Sequence, residues 1–98
     1  MILNKHIDGE FIENLYSSSN ILASRYNTVS KQLAIIFNSG RQYLYYDVIK
    51  NDYDIFETSE SQGKILNSVI KKYKVERVED IVDITPITEQ IDLIKNSL

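Results

Sequence analysis

Three of the chain's seven tyrosines, Tyr43, Tyr45 and Tyr46, fall in one short run that starts at Phe37-Asn38-Ser39-Gly40-Arg41 and ends at Asp47-Val48. Aromatic rings beside a cation are the parts of a surface that stacks bases and holds phosphates, and each stacked base contributes about 1–3 kcal/mol. Tyrosine is also a favoured strand residue, so the same rings can simply form one side of a small core. Arg25 and Arg41 each carry a planar fork suited to a carboxylate or a phosphate. Ser61-Gln62-Gly63-Lys64 stands where a helix should begin, and backbone donors there suit an anion. Its spacing is not that of a triphosphate loop, and a serine cap followed by a small residue is the competing reading. Asn67 lies on one stripe with Lys64 and Lys71, placed to bond either a base edge or a neighbouring loop. The candidate ligand-binding set is therefore Arg25, Arg41, Tyr43, Tyr45, Tyr46, Lys64, Asn67 and Lys71.

Catalytic parts are scarce by comparison. His6 is the sole histidine and there is no cysteine, which excludes a histidine-based triad and a typical zinc site. Asp52, Asp54, Glu57 and Glu60 read as a solvated face rather than a glycosidase pair or a calcium loop. The expectation is a non-enzymatic protein without metal or cofactor.

Positioning these residues falls to one domain of 98 residues, a size that supports a modest core and for which oligomerisation often supplies further burial. The absence of cysteine fits a reducing compartment, and neither a signal peptide nor a membrane span is visible, so a cytoplasmic protein is expected. Charge is uneven: residues 17–74 hold eight Lys/Arg against five Asp/Glu, whereas residues 75–98 hold two against six. A net charge of −3 argues against general affinity for duplex nucleic acid and leaves room for a local phosphate site.

Along the chain, Asp8-Gly9 suits a two-residue hairpin between Ile2–Ile7 and Glu10–Leu15, while a short helix capped by Asp8 competes, with Phe11 and Leu15 four apart. Ile21–Tyr26 reads as a strand ending at Asn27-Thr28. Leu33, Ile35 and Phe37 alternate along the next strand, and Asn38-Ser39-Gly40 turns it back into a return strand over Arg41–Val48. Alternation sends Tyr43, Tyr45 and Asp47 one way and Gln42, Leu44, Tyr46 and Val48 the other. A short helix from Ile49 to about Glu57 would be anchored by Tyr53 and Phe56. A longer amphipathic helix, Gln62–Tyr73, would bury Ile65, Leu66, Val69, Ile70 and Tyr73 and present Lys64, Asn67, Lys71 and Lys74 on the far side. Val75–Val82 can form another strand. Thr85-Pro86 opens a final helix with a threonine cap and proline at its first position, and Ile87, Ile91, Ile94 and Leu98 recur along it.

The ordered set Ser18-Ser19-Asn20-Ile21, Tyr26-Asn27, Leu33, Ile35, Phe37, Ser39-Gly40, Tyr43-Leu44-Tyr45, Val48, Tyr53, Ser61-Gln62-Gly63-Lys64, Leu66-Asn67, Ile70 and Tyr73 resembles the KTSC domain. That small family is named for the C-terminus of some lysyl-tRNA synthetases and also occurs as free-standing bacterial and phage proteins. The resemblance covers residues 17–75 and leaves 76–98 as a C-terminal extension. This chain departs from the usual pattern at Arg25, Asn27, Ile49 and Leu66, where the family has Gly, Asp, Pro and Phe. The synthetase association implies an RNA context.

Together these readings give an α+β domain over residues 1–98, with an antiparallel sheet of three or more strands, two central helices and a C-terminal amphipathic helix. The expected function is binding of a nucleotide-like ligand, a short RNA or a small signalling nucleotide. The alternative is a protein-interaction module, such as a phage accessory protein that sequesters a host defence component. In either case the Ile87-to-Leu98 stripe is expected to pair copies of the chain into a homo-oligomer, with no membrane involved.

Overall fold

The computed structural model describes residues 1–97. Its chain is a six-stranded antiparallel meander in sequence order: β1 (Ile2–Asp8), β2 (Phe11–Tyr16), β3 (Ile21–Asn27), β4 (Leu33–Phe37), β5 (Gln42–Tyr45) and β6 (Val75–Val78). Between β5 and β6 lie α1 (Lys50–Thr58) and α2 (Gln62–Ser68), followed by a single 3₁₀ turn over Ile70–Lys72. The last element is α3 (Thr85–Asn96). The α+β class and the C-terminal helix are as the periodicity requires.

At the first turn the hairpin is what forms, with Asp8 opposite Phe11 and Gly9 at φ +60. Glycine takes that positive φ without the clash a side chain would bring. Strand β4 alternates as expected, and Leu33 and Ile35 are wholly buried. The return strand is shorter than Arg41–Val48, because Asp47 adopts φ +56 and turns the chain out of the ladder after Tyr45. Val48 is therefore corrected: it lies in the same core as Tyr45 instead of sharing the face of Tyr46.

A second correction concerns the long helix. It ends at Ser68, and the chain tightens to 3₁₀ geometry through Ile70–Lys72, where the β-branched pair Val69-Ile70 favours helix weakly. Lys71 and Lys74 consequently do not continue a stripe from Lys64 and Asn67. Strand β6 also stops early, at Val78 rather than Val82. In α3, Thr85 is the first helical residue and not the cap; its N–H donates to Asp83 Oδ1 at 3.0 Å, and Pro86 follows inside the first turn.

The two faces of the sheet carry separate cores. One face packs against α1 and α2 and buries Tyr16, Ile21, Tyr26, Leu33, Ile35, Tyr45, Tyr53, Phe56 and Ile70. Tyr26 and Tyr53 stack at 4.2 Å with planes 7° apart, and Tyr16 meets Phe56 edge-on at 5.7 Å. Within this layer the reading of Asp52 and Glu57 as solvated is overturned. Both are buried: Glu57 faces donors on β1 and β2, whereas Asp52 accepts from the Tyr73 hydroxyl at 2.5 Å and pairs with Lys72 Nζ at 2.9 Å beside the 3₁₀ turn. Glu57 accepts from Lys5 Nζ at 2.8 Å, Asn14 Nδ2 at 2.9 Å and the Tyr53 hydroxyl at 2.7 Å. Burial pushes its carboxyl up, but those three donors outweigh it and hold the group below the usual range. Burial also lifts the Tyr16 hydroxyl to about 12.

The other face is covered only in part. Ile91 and Ile87 of α3 pack on Leu22, Ala23, Leu3, Leu15 and Ile36. The apolar stripe that sequence reserved for pairing with a second copy is thus engaged within the chain through Ile87 and Ile91, while Leu98 lies outside the described residues. No helix among the described residues is long and apolar enough to cross a membrane.

Candidate functional site

On the helical face, three segments distant in sequence converge on one cleft of about 400 Å³. The entry to β3 contributes Ser19, Asn20 and Ile21; the β4–β5 hairpin contributes Phe37, Asn38 and Ser39; the first turns of α2 contribute Gly63, Leu66 and Asn67. Local chemistry fixes each wall. Asn38 ties the hairpin to the β3 entry, donating from Nδ2 to the Ser19 carbonyl and from its backbone N–H to the Asn20 carbonyl at 2.8 Å. Gly40, at φ +87, closes the hairpin while its N–H donates to the Phe37 carbonyl at 2.9 Å. Ser61 caps α2 by accepting from the Lys64 N–H at 3.4 Å, which is the structural role the sequence allowed for it. Gly63 is not sterically demanded: a Cβ there would come no closer than 3.6 Å to Asn20 Nδ2.

The lining is uncharged, with an apolar wall of Ile21, Phe37 and Leu66 edged by the carboxamides of Asn20, Asn38 and Asn67. Phe37 is half-buried and meets Tyr43 edge-on at 5.4 Å, so Tyr43 braces the ring that faces the cleft. Among the described residues the side chains of Asn67 and Lys64 make no hydrogen bond or ion pair, and both are exposed. Arg41 is likewise exposed, and its carbonyl accepts from the Phe37 N–H at 2.9 Å, which places it at the cleft's hairpin end. A volume of this size and such donors and acceptors suit a small planar polar ligand.

Of the sequence candidates, Asn67 lines this cleft, with Lys64 and Arg41 at its margins and Tyr43 one residue behind it. Tyr45 is 8% exposed and belongs to the core, so it presents no ring to a ligand. Lys71 is exposed on the 3₁₀ turn. Tyr46 and Arg25 lie on the opposite sheet face. Tyr46 donates to Glu76 at 3.2 Å, and partial burial together with Glu76 raises its hydroxyl pKa. Arg25 lies on β3 and stands 3.7 Å over the Phe11 ring and 3.6 Å from Glu13. Sequence reasoning about sites missed Asn20, Phe37 and Asn38. Their signal was present in the ordered pattern around Ser-Ser-Asn-Ile and Phe-Asn-Ser-Gly, but no periodicity assigns them to a cleft.

Comparison with known proteins bears on the same segments. The sequence profile of the KTSC domain matches residues 17–73, which include every residue lining this cleft. A protein of Tsukamurella paurometabola is 37% identical over 54 residues, 55% of this chain and 81% of its own length. The crystal structure of a KTSC domain protein from Yersinia pestis superposes with a TM-score of 0.64 at 28% identity, covering 67% of this chain and 94% of the other.

Proposed function

The chain belongs to the KTSC domain family, and from that premise we propose that it is a non-enzymatic binding protein for a small nucleotide-like ligand, held in the cleft between the β4–β5 hairpin and α2. The observation that carries this reading is the convergence of Asn20, Asn38 and Asn67 beside the Phe37 ring, all within the family-matched residues. Carboxamides pair with the donor and acceptor edge of a base, and an aromatic face stacks on it. Lys64 and Arg41 supply mobile cations at the margin for a phosphate. The stacking role passes from the tyrosines to Phe37. Among the described residues the cleft lining includes no histidine, cysteine or carboxylate to serve as a base, which supports binding over turnover. A reducing, cytoplasmic setting accords with the cysteine-free composition.

Of the features that favoured a protein-interaction module, the α3 stripe is engaged through Ile87 and Ile91 on the chain's own sheet, so the observations favour the cleft over that alternative.

Titration of the ¹⁵N-labelled chain with each of the four ribonucleoside monophosphates, followed by NMR, tests the proposal. Shifts concentrated on the side-chain amides of Asn20, Asn38 and Asn67 are expected, with at least a tenfold loss of affinity in Asn67→Ala and an unchanged melting temperature. Shifts that map elsewhere, or that survive unaltered in Asn67→Ala, would remove the cleft from consideration.

A further inference from the structure

The partly covered face of the sheet brings together three metal-ligating side chains that no comparison assigns. His6 and Asp8 are two apart on β1 and so share a face, and the β1–β2 register sets Glu13 directly opposite His6. One ligand atom from each lies within 4.8 Å of the other two. Two carboxylates this close repel unless a cation sits between them. Among the described residues Asp8 has no ion-pair partner, and Glu13 has only Arg25 at a loose 3.6 Å, a guanidinium already stacked on Phe11. His6 and Glu13 also border a cleft of about 510 Å³, walled by Gln90 of α3 and floored by Ala23, Ala34 and Gln42.

We propose that His6, Asp8 and Glu13 hold one divalent transition-metal ion at the mouth of the cleft beside α3. The donor set decides the class: one imidazole with two carboxylates favours zinc, cobalt or nickel over magnesium and calcium, which take oxygen ligands alone. Three protein ligands leave coordination positions free, as in sites where a metal receives an exogenous oxygen donor. With Arg25 and Gln42 beyond it, the open side suits a small carboxylate or phosphate. This site lies across the sheet from the proposed nucleotide cleft and does not depend on it. The cysteine-free, single-histidine composition excludes a thiolate or multi-histidine site but not this mixed one, which exists only once β1 and β2 pair.

The test is calorimetric titration of the full chain with zinc chloride and nickel chloride, alongside the absorption spectrum of its cobalt complex. One ion per chain is expected. Affinity should fall at least tenfold in each of His6→Asn, Asp8→Asn and Glu13→Gln and stay unchanged in Asp83→Asn, a remote exposed acid. Equimolar magnesium should not compete. All three positions are solvent-facing or half-buried, so melting temperatures should match the parent and separate lost ligation from lost folding. Binding that is the same in the parent and His6→Asn, or that falls equally in Asp83→Asn, or that magnesium abolishes, would overturn the assignment.

Discussion

Replacing Gly40 by alanine should destabilise the protein far more than the same change at Gly9, although both glycines sit in hairpin turns at positive φ. At Gly9 a new Cβ meets nothing within 4 Å, so the cost is the left-handed backbone alone, about 1 kcal/mol. At Gly40 the Cβ would lie 2.7 Å from the Val82 carbonyl oxygen and 2.8 Å from Ile81 Cγ2. The first is a backbone atom and cannot swing aside, and the Val82 N–H donates to the Gly40 carbonyl at 2.8 Å, so relief of the clash also strains that bond. Adding a lost hydrogen bond and local displacement brings the expected cost to about 2–4 kcal/mol. For a domain of this size that corresponds to a melting temperature lower by roughly 10–25 °C. Urea unfolding of the parent, Gly9→Ala and Gly40→Ala, compared at constant m-value, measures the difference directly. Equal midpoints for the two variants would refute the claim that the segment around Val82 is locked against the hairpin.

Acid should destabilise the fold through Asp52 and Glu57. The Tyr73 hydroxyl and Lys72 hold the Asp52 carboxyl below its usual range, and Glu57 is lowered by donors that outweigh its burial. A carboxyl lowered in the folded state contributes stability above its unfolded value, about 4, and loses it as pH falls through the lowered folded value. Urea midpoints across acidic pH should therefore drop most below about pH 4, and Lys5→Met should flatten that dependence by removing a donor to Glu57; an unchanged profile in Lys5→Met would contradict the assignment. Ile91→Ala should cost about 2–4 kcal/mol because the side chain is buried on the sheet, whereas Leu93→Ala, at a position 72% exposed, should change stability by no more than about 0.5 kcal/mol; equal effects would mean that α3 docks by another face.

How much of this was legible in the sequence depends on the range of the interaction concerned. Alternation along Leu33–Phe37 and the glycine at position 40 are local signals, and both the strand and its hairpin follow from them. The breaks at Asp47 and after Ser68 were not legible, because tertiary packing decides them: Val48 turns inward to join the core, and Ile70 reaches full burial only on a tightened turn. Asn14 and Glu57 look like surface residues by type. They are 2% and 6% exposed because β2 and α1 meet face to face, and nothing in a one-dimensional pattern reports that pairing. The candidate site shares this limit. Asn67 was visible as a polar residue on a helix, but its neighbours Asn20 and Asn38 come from loops 47 and 29 positions away in number, joined only when the hairpin docks beside α2.

The elements inside and outside the family-matched segment contribute differently to the two clefts. The match to the Yersinia pestis structure takes in 94% of that chain but 67% of this one, so this chain carries elements beyond the common core. The profile match ends at residue 73, before β6 and α3, and begins at residue 17, after β1 and β2. The cleft between the β4–β5 hairpin and α2 is built wholly inside the matched segment, on the face covered by α1 and α2. The opposite cleft takes His6 and Glu13 from ahead of that segment and Ile87 and Gln90 from behind it. Its shape therefore depends on how α3 rests on Ala23, where the small side chain lets Ile91 approach the sheet closely enough to be buried. That second cleft is framed jointly, with Ala23, Arg25, Ala34 and Gln42 from the matched segment facing His6, Glu13, Ile87 and Gln90 from outside it, so its shape is set by elements the profile does not cover.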